Sequence, residues 1–189
     1  MESTAESIPT VWGVFVGNSG EELEVFNSQY GPFPPKKGAS GYIAIGWPAI
    51  GDLRMFKDNY LDYVEKFRVA YGEKNDTEQK FKIRANMPWN FAFEIAQGDW
   101  VICPCSVHSL LLVGEVKGDY EHDYHNELGL YGKRRPDFVH ARKVQWKEII
   151  LKTDKRYHKL NRIGQLTVAR PHITFAELQD ILSGDAAAA

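Results

Sequence analysis

Apolar residues recur along the whole chain, but the period of their recurrence changes several times. Val11 to Val16 is a short apolar run ended by Gly17 and Asn18, which predicts a buried strand. Ser19 is placed to cap a short helix carrying Glu21, Glu22, Leu23, Val25 and Phe26. Three prolines fix the Gly31 to Gly38 stretch as a loop. Tyr42 to Ile45 predicts a second strand, closed by Gly46, Trp47 and Pro48, and Asp52 is positioned to cap a short helix from Leu53 to Phe56. Between Asn59 and Tyr71, the residues Tyr60, Tyr63, Val64, Phe67 and Tyr71 fall at helical spacing. Thr77 opens a further helical stretch through Phe81, Ile83, Trp89, Phe93 and Ile95, which Pro88 should kink or restart.

After Gly98 and Asp99 the pattern becomes β-like. Trp100 to Pro104 and Leu110 to Val116 flank a turn at Ser106 to Ser109, predicting a hairpin. Tyr120 to Pro136 is a long polar connection, and connections of that length inside one domain usually carry function or move. Phe138 to Trp146 predicts a strand from its β-prone composition, although its faces are mixed. Phe138, His140, Arg142, Val144 and Trp146 share one side, and Val139, Ala141, Lys143 and Gln145 share the other. Leu160 to Ile163 reads as a short helix or turn, Leu166 to Val168 as a last strand, and Thr174 as the cap of a final helix from Phe175 to Leu182. The order predicts an α+β domain with a curved or barrel-like sheet flanked by helices. Its expected extent is residues 11–183, between a disordered N-terminal segment (1–10) and a disordered tail (184–189).

Composition narrows the class. The chain has 189 residues, 43% apolar and 25% charged, as expected for one globular domain. No stretch of eighteen apolar residues suggests a membrane span, and Met1 to Thr10 is polar and acidic rather than signal-like. With Cys103 and Cys105 one residue apart and no disulfide framework, a cytoplasmic location is expected. The net charge of −2 hides an asymmetry. Tyr131 to Arg170 holds 12 Lys and Arg against 3 Asp and Glu, whereas the rest holds 11 against 22. That imbalance fits either a solvated face or a surface that meets a polyanion.

Chemistry-bearing motifs are scarce. There is no phosphate-cradling glycine loop, no dinucleotide fingerprint and no nucleophile elbow. Cys103, Cys105 and His108, with His122 and His125 further on, match none of the usual zinc spacings and read better as strand cysteines and surface histidines. Asp52, Glu94, Asp99, Asp119 and Asp123 supply carboxylates, but nothing in the sequence pairs them. The expectation is therefore a binding domain with no catalytic residue, metal or cofactor. Aromatic residues are abundant, at 13%. Trp12, Trp100 and Trp146 lie within or at the ends of predicted strands and belong to the core. Trp47, Trp89, Tyr120, Tyr124 and Tyr131 lie at loop edges, where flat walls could stack on a flat ligand.

Five segments together resemble a known pattern: Trp12 to Val16; Ile43 to Trp47 with Ile50 to Leu53; Trp89 to Ile95 with Gly98 and Asp99; Leu112 to Val116 with Gly118 to Tyr120; and His140 to Trp146. In order and spacing they are similar to the PUA-like domains of the EVE and YTH group, in the version found at the N-terminus of Mrr-type and McrB-type restriction proteins. The resemblance runs from about Val11 to Val168. It implies a PUA-like, curved β-barrel-like sheet with helices around it. It also implies recognition of a methylated cytosine or adenine, flipped from double-stranded DNA into an aromatic cage, in a restriction or phage-defence system. Carried over by position, Trp47 is the first cage wall, Tyr124 or Tyr131 the second, with Tyr120 beside them and Trp89 at a further aromatic position. Asp52 would accept from the exocyclic amine of the base. Lys133, Arg134, Arg135, Arg142 and Lys143 would contact phosphates, although Arg142 and Lys143 point to opposite faces of a regular strand. The long connection lacks the tryptophan of some relatives, and the chain carries no nuclease or NTPase segment, so it resembles the reader part of a longer protein. RNA carrying a methylated base, or a small molecule in the same cleft, are the alternative ligands.

Overall fold

Alternating apolar positions in the second half of the chain build most of the sheet. A computed structural model describes residues 8–17, 19–28, 31–122, 137–161 and 166–184. Among them are six strands: β1 (Val11–Val14), β2 (Ser40–Ile45), β3 (Trp100–Cys105), β4 (Leu110–His122), β5 (His140–Leu151) and β6 (Val168–Ala169). They form one mixed sheet in the order β2-β5-β4-β3-β1-β6. Only β1 with β3 is parallel among these pairs; the others are antiparallel. The sheet curls into a half-barrel, and helices pack around it, so the architecture is α+β.

The predicted hairpin forms with the register Trp100 to Glu115 through Cys105 to Leu110. Val101, Cys103 and Cys105 point to one face and Ile102 to the other, so the two cysteines share a face. Both are fully buried. β4 runs six residues past its predicted end at Val116, because register shifts after Val113 and Val116 let the strand bulge and turn without ending. β5 begins and ends later than the expected Phe138 to Trp146.

The helices are α1 (Glu21–Ser28), α2 (Tyr60–Tyr71), α3 (Glu78–Trp89), α4 (Lys155–Leu160) and α5 (Phe175–Ser183). Asn59 and Thr77 cap α2 and α3, and Thr174 with Glu177 makes a reciprocal capping box on α5. The short helix expected at Leu160 to Ile163 lies earlier, since Asp154 caps it through the Arg156 N–H. Pro88 lies inside α3, which continues through it to Trp89 rather than restarting there. Lacking an N–H, it sits just before a wider π-type turn, Asn90–Glu94, which closes with Ile95 N–H on the Asn90 carbonyl at 3.0 Å.

Two apolar clusters cover the two faces of the sheet. Trp12, Val14, Ile43, Val101, Leu112 and Trp146 pack with Tyr63, Phe67, Phe81 and Phe91 under α2 and α3. Ile102, Leu111, Val113 and Ile150 pack with Tyr157, Leu160 and Leu178 under α4 and α5. Trp12 and Trp146 are core residues as expected, and Trp100 is half-buried against Phe175. Asp99 fastens the start of the sheet: its carboxylate accepts from Thr10 N–H (2.8 Å), Trp12 Nε1 (2.9 Å) and Ala96 N–H (3.0 Å). No described helix is long and apolar enough to cross a membrane.

Candidate functional site

Curling the sheet brings the end of its first edge strand toward the opposite edge. There Trp47, just past β2, and Phe138, just before β5, face Phe15 after β1 and Thr167 before β6. With Tyr71 at the end of α2 and Asp137, they line an open cleft of about 400 Å³. That volume lies within the usual range of ligand sites, roughly 300–1,000 Å³.

Trp47 is held in an unusual backbone conformation, φ 71° and ψ 47°. A bulky non-glycine residue in the left-handed region is uncommon, and the proline that follows restricts it further. Such strain costs on the order of 1–3 kcal/mol and persists only where the surroundings fix it. Here the fixing groups are visible. The Trp47 carbonyl accepts from Ile50 N–H and from Nε2 of His140, both at 3.2 Å. A carbonyl can only accept, so His140 carries its proton on Nε2, and Nδ1 accepts from the Tyr120 hydroxyl at 2.7 Å. That hydroxyl in turn accepts from Leu53 N–H at 3.3 Å. Tyr71 Oη adds a fourth anchor by accepting from Ala49 N–H at 2.9 Å. Residues 47–53 are thereby tied to α2, β4 and β5. His140 is fully buried, and its pKa is pushed down to about 4, chiefly by burial, so the neutral ring required by this relay is the form present at neutral pH. Burial likewise pushes the Tyr120 phenol up.

The residues singled out from the sequence therefore separate. Trp47 is half-buried and forms a wall of the cleft. Tyr120 is not a second wall: it is 6% exposed, and its hydroxyl supports the Trp47 loop from below. Trp89 does not line this cleft. It belongs to an aromatic cluster with Tyr60 (ring centroids 4.8 Å apart), Tyr63 (5.1 Å) and Phe93 (4.4 Å). Asp52 is occupied by Arg54, whose guanidinium meets both carboxylate oxygens at 2.6–3.0 Å while its N–H is capped by the same group. Burial opposes ionisation of Asp52, but the Arg54 hydrogen bonds outweigh it and hold the carboxyl below its usual range.

Arg142 requires the clearest correction. Expected at phosphates, it is 3% exposed and donates to the carbonyls of Phe91 (2.7 Å), Ala92 (2.9 Å) and Gly118 (3.1 Å). The reason lies in the turn after α3, whose final carbonyls lack intrahelical partners and attract a cation at that helix end. Arg142 caps them and joins them to the bulge in β4. Burial pushes its pKa down, to about 10, so it stays charged at neutral pH. Lys143 is exposed on β5, opposite Tyr42. Other cations of the basic half are also engaged: Lys147 with Glu115, Arg156 with Asp154, and Arg170 with Glu94 and the Trp12 ring. Tyr124, Tyr131, Lys133, Arg134 and Arg135 lie outside the described residues, as does His125.

Sequence reasoning missed Phe15, Tyr71, Asp137, Phe138 and Thr167 as parts of one cleft. Tyr71 carried a signal, as an aromatic residue with a polar tip in the last position of an amphipathic helix. Phe15 and Thr167 carried none, because their proximity depends on the curl of the sheet. A second cleft of about 350 Å³ between α4 and α5 contains none of the expected site residues. Among the described residues no three His, Cys, Asp or Glu side chains are grouped to hold a metal ion.

A curled α+β half-barrel with an aromatic cleft at its open seam is the class of domain that these observations define. The chain belongs to the family described as a domain of unknown function, DUF8426, whose model matches residues 36–170. That span takes in Trp47, Tyr71, Asp137, Phe138 and Thr167. No curated protein and no solved structure matches the chain.

Proposed function

We propose that this chain is a PUA-like domain of the EVE and YTH type that reads a modified base, flipped out of DNA into the cleft beside Trp47. The observation that carries the reading is Trp47 itself. Its indole borders an open cleft while its backbone is locked in a strained conformation by the His140–Tyr120 relay. Strain of this sort concentrates at binding sites because it fixes a side chain in advance of its ligand. Stacking a flipped base against an aromatic wall contributes on the order of 1–3 kcal/mol. Phe15, Tyr71 and Phe138 give the cleft further flat and apolar surface, which suits the added methyl of a modified base. In this reading the domain binds without catalysing a reaction and uses no cofactor. It serves a restriction or phage-defence system in the cytoplasm, with a nuclease or NTPase module in the same full-length protein.

Fluorescence anisotropy tests the proposal with short duplexes that are unmodified or carry 5-methylcytosine, 5-hydroxymethylcytosine or N6-methyladenine, at two salt concentrations, beside matched RNA. One modified duplex should bind at least about tenfold tighter than its unmodified form, equivalent to about 1.4 kcal/mol. Trp47→Ala should abolish that difference and leave weak, salt-sensitive binding. Equal binding to all duplexes, or a preference that survives Trp47→Ala, would refute the cage. Preference for the RNA set would move the reading to methylated RNA.

A further inference from the structure

Both ends of the segment that carries Trp47 lead to one hydroxyl group. At its start the Trp47 carbonyl accepts from Nε2 of His140 at 3.2 Å, and Nδ1 of the same ring accepts from the Tyr120 hydroxyl at 2.7 Å. At its end Leu53 N–H donates to that hydroxyl at 3.3 Å. A phenol oxygen can donate its one hydrogen and still accept, so both bonds form together. The Tyr120 and His140 rings come from neighbouring strands and lie nearly parallel, 27° apart with centroids separated by 5.8 Å. The turn's own bonds, Ile50 N–H to Trp47 and Gly51 N–H to Pro48, lie within residues 47–51 and do not reach the sheet. Two side chains of the sheet thereby close residues 47–53 into a loop.

Resting on the proposed base-reading function, we infer that Tyr120 and His140 are positioning residues, a clasp on residues 47–53 that sets the Trp47 indole in place before the base arrives. Both are buried and neither lines the cleft, so they act on the ligand only through Trp47. The clasp needs an acceptor toward Tyr120 and a donor toward Trp47, held in fixed relation. Neutral imidazole supplies that pair, and a glutamine carboxamide carries an acceptor and a donor on one carbon, whereas leucine has neither. Where the binding-competent arrangement is only partly populated, the apparent dissociation constant rises by the inverse of its fraction. An opened clasp that leaves Trp47 in place about a tenth of the time weakens reading of the modified base about tenfold. Binding of unmodified DNA through its phosphates does not use Trp47 and stays as it was.

The test compares Tyr120→Phe, His140→Leu and His140→Gln in the full chain, with the modified duplex that the unmutated chain prefers and its unmodified form. Tyr120→Phe and His140→Leu should each weaken the modified duplex about tenfold and leave the unmodified one unchanged. His140→Gln should stay within about threefold of the unmutated chain for both duplexes, because its carboxamide restores the acceptor and the donor. Heteronuclear NMR of the free protein supplies a second readout that needs no ligand. The Trp47 indole N–H resonance, identified by its absence from Trp47→Phe, should broaden or shift in Tyr120→Phe and His140→Leu. Those of Trp12 and Trp146, both in the core, should keep their positions and report an intact fold. Unchanged affinities in Tyr120→Phe and His140→Leu, with Trp47→Ala still abolishing the preference, would overturn the clasp and leave the base-reading cleft standing. Equal weakening of both duplexes, with the Trp12 and Trp146 resonances displaced as well, would overturn it in favour of a general role in the core. A loss in His140→Gln as deep as in His140→Leu would overturn the acceptor–donor assignment. Absence of any preference in the unmutated chain would overturn the base reading and the clasp's role in it together.

Discussion

His140 shows how much a single buried residue can decide here. On β5 it sits among apolar neighbours, and sequence alternation groups it with Phe138, Val144 and Trp146. The same grouping holds Arg142, which the resemblance places at phosphates. The structure gives both the same explanation: each is a polar residue on a buried face because a backbone carbonyl elsewhere needs a donor. For Arg142 the acceptors lie at the end of α3 and in the β4 bulge, and for His140 the acceptor is Trp47. The histidine also links protonation to stability. Burial lowers its pKa to about 4, the bond to the Trp47 carbonyl works against that shift, the nearby His122 adds to it, and Asp52 opposes it. Between about pH 6.5 and 4 the unfolded chain takes up a proton that the folded chain refuses, so stability should fall as pH drops through that window. The full loss is on the order of 3 kcal/mol, and above pH 6.5 the contribution is complete. Urea denaturation from pH 7 to pH 4 should show this slope for the unmutated chain and a shallower one for His140→Gln. Identical slopes would mean that His140 is not the group responsible.

At the scale of elements, α1 protects an edge that the sheet leaves open. β2 pairs with β5 on one side only, and an unpaired edge invites pairing with other chains. Asn27 of α1 closes it. Its carboxamide donates to the carbonyls of Leu23 (2.8 Å) and Tyr42 (3.1 Å), and its oxygen accepts from Tyr42 N–H (3.2 Å) and Trp146 Nε1 (2.9 Å). Gly41 makes the approach possible, because a Cβ there would collide with the Asn27 side chain and the Trp146 indole nitrogen. Asn27→Ala leaves several buried groups unpaired and should cost about 2–4 kcal/mol. Gly41→Ala should cost a similar amount by steric conflict, and the double variant should lose less than the two losses combined, by about 0.5 kcal/mol or more. Strict additivity in chemical denaturation would show that the two positions are not coupled. The elements themselves were largely legible: caps at Asp52, Thr77 and Thr174 are local chemistry, and the hairpin follows from alternation, whereas the cap at Asp154 was missed and its helix expected too late. The Asn27 contact was not legible, because it joins residues 119 positions apart in sequence. The cleft was half legible for the same reason. Trp47 announces itself between a strand and a proline, whereas Phe15 and Thr167 meet it only after the sheet has curled.

Across the whole molecule, charge remains the property that most directly separates a nucleic-acid partner from a small one. The basic half of the chain looks uniform as sequence, but Arg142, Lys147, Arg156 and Arg170 have internal partners, so fewer cations are free for phosphates than the count suggests. Lys143 is exposed, and Lys133, Arg134 and Arg135 precede Asp137 and Phe138, which line the cleft. The proposed reading assigns the phosphate contacts to this basic run. The slope of log affinity against log salt becomes shallower by about 0.9 for every phosphate of duplex DNA that a protein no longer neutralises. Replacing Arg134 and Arg135 together with alanine should therefore reduce the slope by about 2 and weaken modified and unmodified duplexes by the same factor, since phosphate contacts position a protein without reading sequence. Anisotropy titrations across a salt series measure both quantities at once. A loss confined to the modified duplex would place the two arginines within the cage, and an unchanged slope would make the run an ordinary solvated segment.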